Sequence, residues 1–142
     1  MMEEMTLVLL KPDAVRRRLV GKIISRFKDK GLTIRASRVL TMDRSLATEH
    51  YQEHVERPFF WELVEFITSG PILALAIAGP SAIKAVRSLV GSTDPLQAAP
   101  GTIRGDFGLV KGQNVVHASD SLQSAERELA LFFRSEDICQ SS

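Results

Sequence analysis

The segment NVVHASDS (residues 114–121) carries a β-branched run directly into His117 and then turns polar. Side chains that can hydrogen-bond flank this imidazole: Asn114, Ser119 and Asp120. Glu128 lies about two helical turns beyond Ser121, so its carboxylate can point back toward the end of the strand. A carboxylate that orients an imidazole fixes its tautomer and raises its nucleophilicity. The segment is therefore typical of a nucleophilic histidine, which is competent to accept a phosphoryl group; a metal ligand and a packed structural histidine are the alternatives.

Glycine-rich phosphate loops are missing from the chain. Neither G-x-x-x-x-G-K-[ST] nor G-x-G-x-x-G occurs, and the glycines at 101, 105 and 108 have a different spacing. If the protein handles a nucleotide, side chains must hold its phosphates. Cations stand at or near the ends of predicted elements or in the long loop: Lys11, Arg87 and Arg104. Each of them alone is typical of a solvated surface charge, so phosphate binding requires that they converge.

A second histidine motif, HYQEH at residues 50–54, matches the H-x-x-E-H pattern of inverted zinc proteases. Helical spacing would place His50 and His54 on one face, as a metal requires. No downstream acidic helix offers an obvious third ligand. Two surface histidines are therefore the expected interpretation, and a zinc hydrolase remains as a lesser alternative.

Composition predicts one globular domain over residues 1–142. The chain is 44% hydrophobic and 25% charged, and its net charge of +1 gives no general basic field for nucleic acid or a membrane surface. The one cysteine, Cys139, cannot form an internal disulfide, which fits a reducing compartment. The N-terminal residues do not resemble a signal peptide, and the longest apolar run is too short to cross a bilayer. A cytoplasmic protein is the expectation.

Strands and helices are predicted to alternate along the chain. Apolar runs and alternation predict strands over 6–11, 32–42, 71–79 and 114–119. Apolar spacing predicts helices over 20–30, from Asp43 or Ser45 to Val55, over 59–67, from Pro80 to Leu89, and from Asp120 or Ser121 to Phe133. Residues 91–113 are predicted to be a long irregular loop, which is uncommon in a compact domain and is usually functional. The pattern is that of an α/β or α+β domain.

Five blocks of this sequence closely resemble the nucleoside diphosphate kinases: KPDAV (11–15), HYQEHVERPFF (50–60), SGP (69–71), PGTIRGDF (100–107) and NVVHASDS (114–121). Their order and spacing agree with that family from about Thr6 to Phe133, nearly the whole chain. The resemblance implies an α+β, ferredoxin-like βαββαβ fold. In that fold a four-stranded antiparallel sheet is covered by helices, and a helical hairpin is inserted after the second strand.

The resemblance also implies an activity. The family transfers the γ-phosphate of a nucleoside triphosphate, typically ATP, to a nucleoside diphosphate. The transfer uses Mg²⁺ and a ping-pong route through a phosphorylated histidine, and it discriminates little among bases. The family forms homo-oligomers built from dimers, so a hexamer is expected, with a tetramer as the alternative. A catalytically silent module of the same fold, which binds nucleotide or nucleic acid, is the alternative function.

Residue roles follow from the resemblance, position by position. His117 matches the nucleophile, which attacks through Nδ1; Glu128 matches the glutamate that orients its ring, and Ser119 belongs to the surrounding hydrogen-bond network. Residues that match the family's phosphate contacts are Lys11, Tyr51, His54, Arg87, Thr93 and Arg104. Lys11 and Asn114 match residues that contact the sugar, and Phe59 matches the residue on which the base stacks. Asp120 matches an aspartate near the water shell of Mg²⁺, which is itself held mainly by nucleotide phosphates and water.

One departure from the family pattern falls near the expected base site. Lys111 occupies a position that often carries a small apolar residue opposite the stacking aromatic. A lysine there is expected either to weaken base packing or to add a charged contact. Neither His117 nor Glu128 is affected by this change.

Overall fold

A four-stranded antiparallel sheet in the order β2-β3-β1-β4 forms the centre of the protein. The structure is a computed structural model that describes residues 3–140. The strands are β1 (Glu3–Leu10), β2 (Thr33–Leu40), β3 (Ile72–Pro80) and β4 (Val116–Ala118). The helices are α1 (Pro12–Arg16), α2 (Val20–Lys30), α3 (Arg44–His50), α4 (Phe60–Ile67), α5 (Ala82–Val90), α6 (Ile103–Phe107) and α7 (Leu122–Phe132). Short 3-10 turns cover Gln52–His54 and Ser135–Asp137. The predicted ferredoxin-like fold, with a helical hairpin (α3 and α4) between β2 and β3, is confirmed.

Helices cover both faces of the sheet. Alternate residues of β1 divide between the two faces: Val8 and Leu10 pack with α2 and α5, whereas Leu7 and Leu9 pack with α3, α4 and α7. Burial on both faces explains why the run ILALAIAG in β3 is apolar without alternation. Among the described residues, no helix is both long and apolar enough to cross a membrane.

Most predicted elements form, and the differences have local causes. The helix that begins after Asp43, whose side chain accepts a hydrogen bond from Leu46 N at 2.8 Å, ends at His50 instead of Val55. Pro80 is the last residue of β3 and not the first of α5, which begins at Ala82. Helix α1 was not predicted, since a five-residue helix gives too short an apolar period to detect.

The long connection between α5 and β4 is not structureless as predicted, because α6 lies within it. Thr102 caps this helix by accepting a hydrogen bond from Gly105 N at 3.0 Å. Asp106 accepts hydrogen bonds from Arg26 Nη2 at 2.7 Å and from Gly101 N at 2.9 Å, which tie the loop to α2. These contacts hold in place the segment that carries Arg104 toward the sheet.

Gly21 inside α2 and Gly31 at its C-terminal end provide a pair of opposite stability predictions. Gly31 ends the helix with φ of 101°, where an alanine is strained, and Gly21 lies inside the helix with ordinary φ. A Cβ at either position meets no atom within 4 Å. We expect Gly31→Ala to lower the free energy of unfolding by about 1 kcal/mol. Gly21→Ala is expected to raise it by about 0.5–1 kcal/mol. Urea unfolding measures both, and equal shifts would contradict the assigned backbone.

The pairing of β4 with β1 decides which way His117 points. Leu9 is the partner of His117 in the antiparallel register, and the neighbours Val116 and Ala118 pack in the core beneath α5. Since successive side chains alternate between faces, His117 lies on the opposite face, toward α3 and α7. The short strand thus presents a partly exposed imidazole at one end of the sheet.

Candidate active site

His117 and Glu128 form a tight pair between β4 and α7. The Nε2 atom of His117 lies 2.7 Å from Glu128 Oε1, and the two side chains are 22% and 6% exposed. A carboxylate only accepts hydrogen bonds, so the proton of the neutral ring lies on Nε2. The lone pair is therefore on Nδ1, the nitrogen that does not face Glu128. This arrangement suits a nucleophile.

Glu128 is itself fixed from behind. The hydroxyl of Ser119 donates to Oε1 of Glu128 at 2.8 Å, and Leu7 N donates to the same hydroxyl oxygen at 3.3 Å. Ser119 is fully buried, so it supports the glutamate and does not line the cleft. Arg127, not foreseen from the sequence, places Nη2 3.7 Å from Glu128 Oε2. Its guanidinium also donates to the backbone oxygens of Glu49 and His50, which joins α7 to the end of α3.

The end of α3 supplies a second histidine beside the nucleophile. His50 is 3% exposed, and its ring meets His117 edge to face at a centroid distance of 4.5 Å. Burial, with smaller effects of His117 and Lys11, holds the pKa of His50 well below its usual range. The expectation of two surface histidines is therefore wrong for His50. The helix ends before His54, so the two histidines do not share a helical face as the zinc-protease pattern requires.

Tyr51 is 6% exposed and packs against both histidines of its motif, with ring centroids 4.7 Å from His50 and 6.3 Å from His54. Burial, followed by the negative charge of Glu128, raises the pKa of the Tyr51 phenol. It therefore remains a protonated hydrogen-bond donor at neutral pH.

Buried cations stand on the other side of the nucleophile. Lys11 Nζ donates to Asn114 Oδ1 at 2.9 Å, and Asn114 Nδ2 donates to Thr93 O at 2.9 Å. Arg104 donates to Val116 O at 2.8 Å and to Gly91 O at 3.2 Å. Burial, assisted by the Arg104 charge, lowers the pKa of Lys11 to about 8, and burial with the nearby Arg87 lowers that of Arg104 to about 10. Like charges kept close together in this way favour an anionic ligand.

A strained backbone residue joins the cations to the nucleophile. Val115 has φ of 63°, which is a true outlier for a β-branched residue. Asp13 Oδ2 accepts a hydrogen bond from Val115 N at 3.1 Å, and Lys11 N donates to Val115 O at 2.8 Å. This bend turns the chain so that Asn114 and His117 face the same space. No sequence pattern predicts this bend, because valine is not typical of positive φ.

These side chains surround one cavity of about 720 Å³. It is lined by the predicted residues Lys11, Tyr51, His54, Phe59, Arg87, Thr93, Arg104, Asn114, His117, Asp120 and Glu128. Lys111 also lines it, as do residues not foreseen from the sequence: Glu53, Glu62, Leu63, Phe66, Val110 and Gln113. Phe59 is 42% exposed and lies in the wall shared with His54, at a ring distance of 5.9 Å. Apolar surface at one end and cations at the other fit a base and its phosphates.

Arg87 and Asp120 lie at the rim near the nucleophile. Arg87 donates to Ala118 O at 3.1 Å, which holds its guanidinium beside β4. A hydrogen bond from the Ser124 hydroxyl, with a smaller effect of Arg87, holds the pKa of Asp120 below its usual range. Asp120 is thus an exposed carboxylate that is ionised at neutral pH.

Comparison with known proteins agrees with this geometry. Residues 4–138 match the sequence model of the nucleoside diphosphate kinase family. The chain belongs to the nucleoside diphosphate kinase family. A nucleoside diphosphate kinase of Archaeoglobus fulgidus is 58% identical over 95% of this chain and 89% of its own length. One of Rubrobacter xylanophilus is 60% identical over 92% of this chain and 98% of its own.

Solved structures of the family superpose closely on this chain. The nucleoside diphosphate kinase of Halobacterium salinarum in complex with CDP has a TM-score of 0.97 at 45% identity, covering 99% of this chain and 94% of that one. That of Aquifex aeolicus has a TM-score of 0.94 at 44% identity, covering 96% and 99%. The protein is accordingly an enzyme with nucleoside diphosphate kinase activity, a phosphotransferase that acts on nucleotides.

Proposed function

We propose that this chain transfers the γ-phosphate of a nucleoside triphosphate to a nucleoside diphosphate through a phosphohistidine on His117. The observation that carries the proposal is the 2.7 Å contact between His117 Nε2 and Glu128 Oε1, which leaves Nδ1 as the nucleophilic nitrogen of a residue lining a cationic cavity. Two half-reactions in one site let the donor and the acceptor bind in turn.

Phosphoryl transfer to His117 requires no proton to join or leave the imidazole. In the first half-reaction the Nδ1 lone pair forms a bond to the γ-phosphorus, and the bond to the bridging oxygen breaks, so that the nucleoside diphosphate leaves with that electron pair. The ring then carries positive charge while Nε2 keeps its proton. Glu128 Oε1 accepts the hydrogen bond from Nε2 and balances this charge. The second half-reaction is the reverse, with a different diphosphate as the nucleophile.

The remaining residues position the nucleotide, which is most of what phosphoryl transfer requires. We assign Lys11, Arg87 and Arg104 to the negative oxygens of the phosphates. The hydroxyls of Tyr51 and Thr93 and the imidazole of His54 are assigned to the same phosphates as hydrogen-bonding groups. These six residues line the cavity that contains His117.

The apolar end of the cavity is assigned to the base and sugar. Phe59 exposes its ring, and stacking on it is tolerant of base identity because every base has a π-face. Asn114 and Lys11, joined by their 2.9 Å hydrogen bond, are assigned to the sugar hydroxyls. The CDP bound by the Halobacterium salinarum relative supports a nucleotide in this cavity.

Magnesium fits the donor set at the rim. The cavity that contains His117 carries the cations Lys11, Arg87 and Arg104, and Asp120 is an ionised carboxylate in the same lining. Mg²⁺ prefers oxygen ligands and keeps several waters, so the nucleotide phosphates would hold it and Asp120 would bind its water shell. The ion would neutralise charge on the phosphates during transfer.

We also propose a cytoplasmic homo-oligomer, with a hexamer expected and a tetramer as the alternative. The edge strand β2 exposes Ser37, Arg38 and Val39, and an unpaired edge is a surface that a second copy can cover. The single thiol, Cys139, is exposed, which fits a reducing compartment. One domain over residues 1–142 remains part of this proposal, supported by a single sheet to which all four strands contribute.

Labelling tests the mechanism directly. The protein is incubated briefly with γ-labelled ATP and Mg²⁺, separated from nucleotide, and then chased with a nucleoside diphosphate. We expect a label that is labile in acid, stable in base, and transferred to the diphosphate. A parent protein that takes no label, while still binding nucleotide, would favour the catalytically silent module.

The lowered pKa of Lys11 predicts a pH dependence of substrate capture. The free enzyme loses the Lys11 proton near pH 8, so kcat/KM for a nucleoside diphosphate should fall, by at most tenfold per pH unit, above that pH. Lys11→Arg stays cationic, so its lower kcat/KM should lack this alkaline decline. Titration of the substrate affects both proteins equally and cancels in their ratio.

The free energy of unfolding should rise with pH over the range in which kcat/KM falls. The pKa of Lys11 is about 8 in the folded protein and has its ordinary value of 10.5 in the unfolded chain. Between these two pH values the unfolded chain therefore binds more protons than the folded protein. Stability therefore increases with pH across this window in the parent relative to Lys11→Arg.

A parent and variant with parallel kcat/KM profiles from pH 7 to about pH 9 would contradict the assigned role of Lys11 in substrate binding.

A further inference from the structure

His50 is a buried histidine with no hydrogen-bond partner for either ring nitrogen within residues 3–140. It is enclosed by the aromatic rings of Tyr51, Phe132 and His117. A phenylalanine would fill this space without the cost of desolvating two nitrogens. Buried polar atoms in folded proteins nearly always have a partner, so these nitrogens call for a ligand that the protein itself does not supply.

The neighbours of His50 form a set of metal ligands. One ligand atom each from His50, His117 and Glu128 lie within 4.8 Å of one another. Zinc holds imidazole nitrogen at about 2.0 Å and carboxylate oxygen at about 2.1 Å, so modest side-chain rotations would bring all three atoms to one ion. Two histidines and a glutamate, with an open fourth position for water, are a ligand set that zinc enzymes use.

Charge and chemistry select the kind of ion. Neither ring nitrogen of His50 is engaged by a hydrogen-bond partner in residues 3–140, so a lone pair is available to a metal. Imidazole ligands suit zinc and its transition-metal neighbours, whereas Mg²⁺ prefers oxygen and would not compete. Lys11 and Arg127 stand nearby as cations and lower the affinity for any dication. Because these cations weaken its binding, the ion would dissociate readily.

We propose that His50, His117 and Glu128 form an inhibitory site for a zinc-class divalent cation. The ion takes one lone pair from each residue, and water from the cavity completes its coordination. If His117 ligates through Nδ1, the nucleophilic lone pair is occupied; if it ligates through Nε2, the hydrogen bond to Glu128 is lost. The inhibitory effect rests on the proposed role of His117, whereas ion binding does not.

Calorimetry without nucleotide, in excess Mg²⁺, tests the binding. We expect one Zn²⁺ per chain, and visible absorption typical of nitrogen and oxygen ligands when Co²⁺ is used instead. His50→Phe should bind at least roughly 100-fold more weakly, since a ligand is lost where even supporting residues cost tenfold or more. Cys139→Ser, which removes the one exposed thiol, should bind like the parent. Equal binding by the parent and His50→Phe, or loss in Cys139→Ser, would overturn the proposal.

Activity separates this inference from the proposed function. Zinc should inhibit phosphoenzyme formation at least tenfold in the parent, EDTA should reverse this with Mg²⁺ still in excess, and His50→Phe should resist it. A parent that takes the label but binds no zinc contradicts only this inference. One that binds zinc through these residues but takes no label contradicts only the phosphohistidine mechanism.

A measurement on the parent covers the case in which His50→Phe does not fold. Cadmium replaces zinc, and the imidazole nitrogens are observed by NMR in uniformly ¹⁵N-labelled protein. We expect the nitrogens of His50 and His117 to shift on binding and those of His54 to stay in place. Unchanged His50 nitrogens would show that the ion does not bind this residue, and the proposal would be wrong.

Discussion

His117→Ala is expected to lose phosphoenzyme formation completely and to lower kcat for phosphoryl transfer by roughly 10⁴-fold or more. The structure offers no second nucleophile at the same position: the nearest imidazole among the described residues, His50, is buried beside the ring edge of His117. The cationic cavity remains in the variant, so nucleotide binding should survive. The measurement is label incorporation together with the steady-state rate.

Two observations distinguish loss of the nucleophile from loss of the fold. The variant should unfold cooperatively near the parent's transition, because His117 is partly exposed and its removal leaves Glu128 with the Ser119 hydroxyl as a hydrogen-bond donor. It should also bind a nucleoside diphosphate with an affinity close to that of the parent. Retained phosphoenzyme in His117→Ala would assign the nucleophile to another residue.

Glu128→Gln is expected to lower kcat by roughly 100-fold while leaving KM for the nucleotide nearly unchanged. A glutamine oxygen can still accept from both His117 Nε2 and the Ser119 hydroxyl, so the geometry of the pair is kept. What is lost is the negative charge that balances the phosphorylated ring. Because that charge matters most when the ring becomes positive, the effect falls on kcat and not on binding.

Ser119→Ala is the matched control for Glu128→Gln. It removes one hydrogen bond to Glu128 Oε1 but leaves the carboxylate charge in place. We expect a smaller decrease in kcat, roughly tenfold or less, together with lower stability because Leu7 N loses its hydroxyl acceptor. Rapid-quench measurement of the first half-reaction compares the variants. A Glu128→Gln rate equal to that of the parent would show that the charge has no role.

The sequence predicted elements best where a local pattern specifies them. Helix α2 was predicted to the residue, because its apolar spacing is regular and Gly31 ends it in the left-handed region. The cap of α7 by Ser121 was one of two candidates, and its side chain accepts from Ser124 N. Short elements were missed, since α1 and α6 are too brief to show a period. The four-stranded antiparallel sheet was expected from the resemblance alone, because no local pattern encodes which strands pair.

The residues of the candidate site were foreseen from motifs, but their arrangement was not. Lys11 is far in the chain from Arg104 and His117, and their convergence depends on β1 pairing with β4 and on the path of the loop through α6. The bend at Val115 is held by Asp13, a residue at the opposite end of the chain. A strained φ of this kind is stable only when distant contacts enforce it, so no window of sequence can reveal it.

His50 shows the same division most clearly. By itself the sequence determined a histidine beside a tyrosine inside a helix predicted to continue to Val55, and the pattern favoured a surface position. Only the packing of α3 against α7 and β4 decided that this ring is buried, neutral and in contact with the nucleophile. Local periodicity records which face of a helix is apolar, whereas the burial and the pKa of a side chain depend on what covers it, and elements distant in the sequence supply that cover.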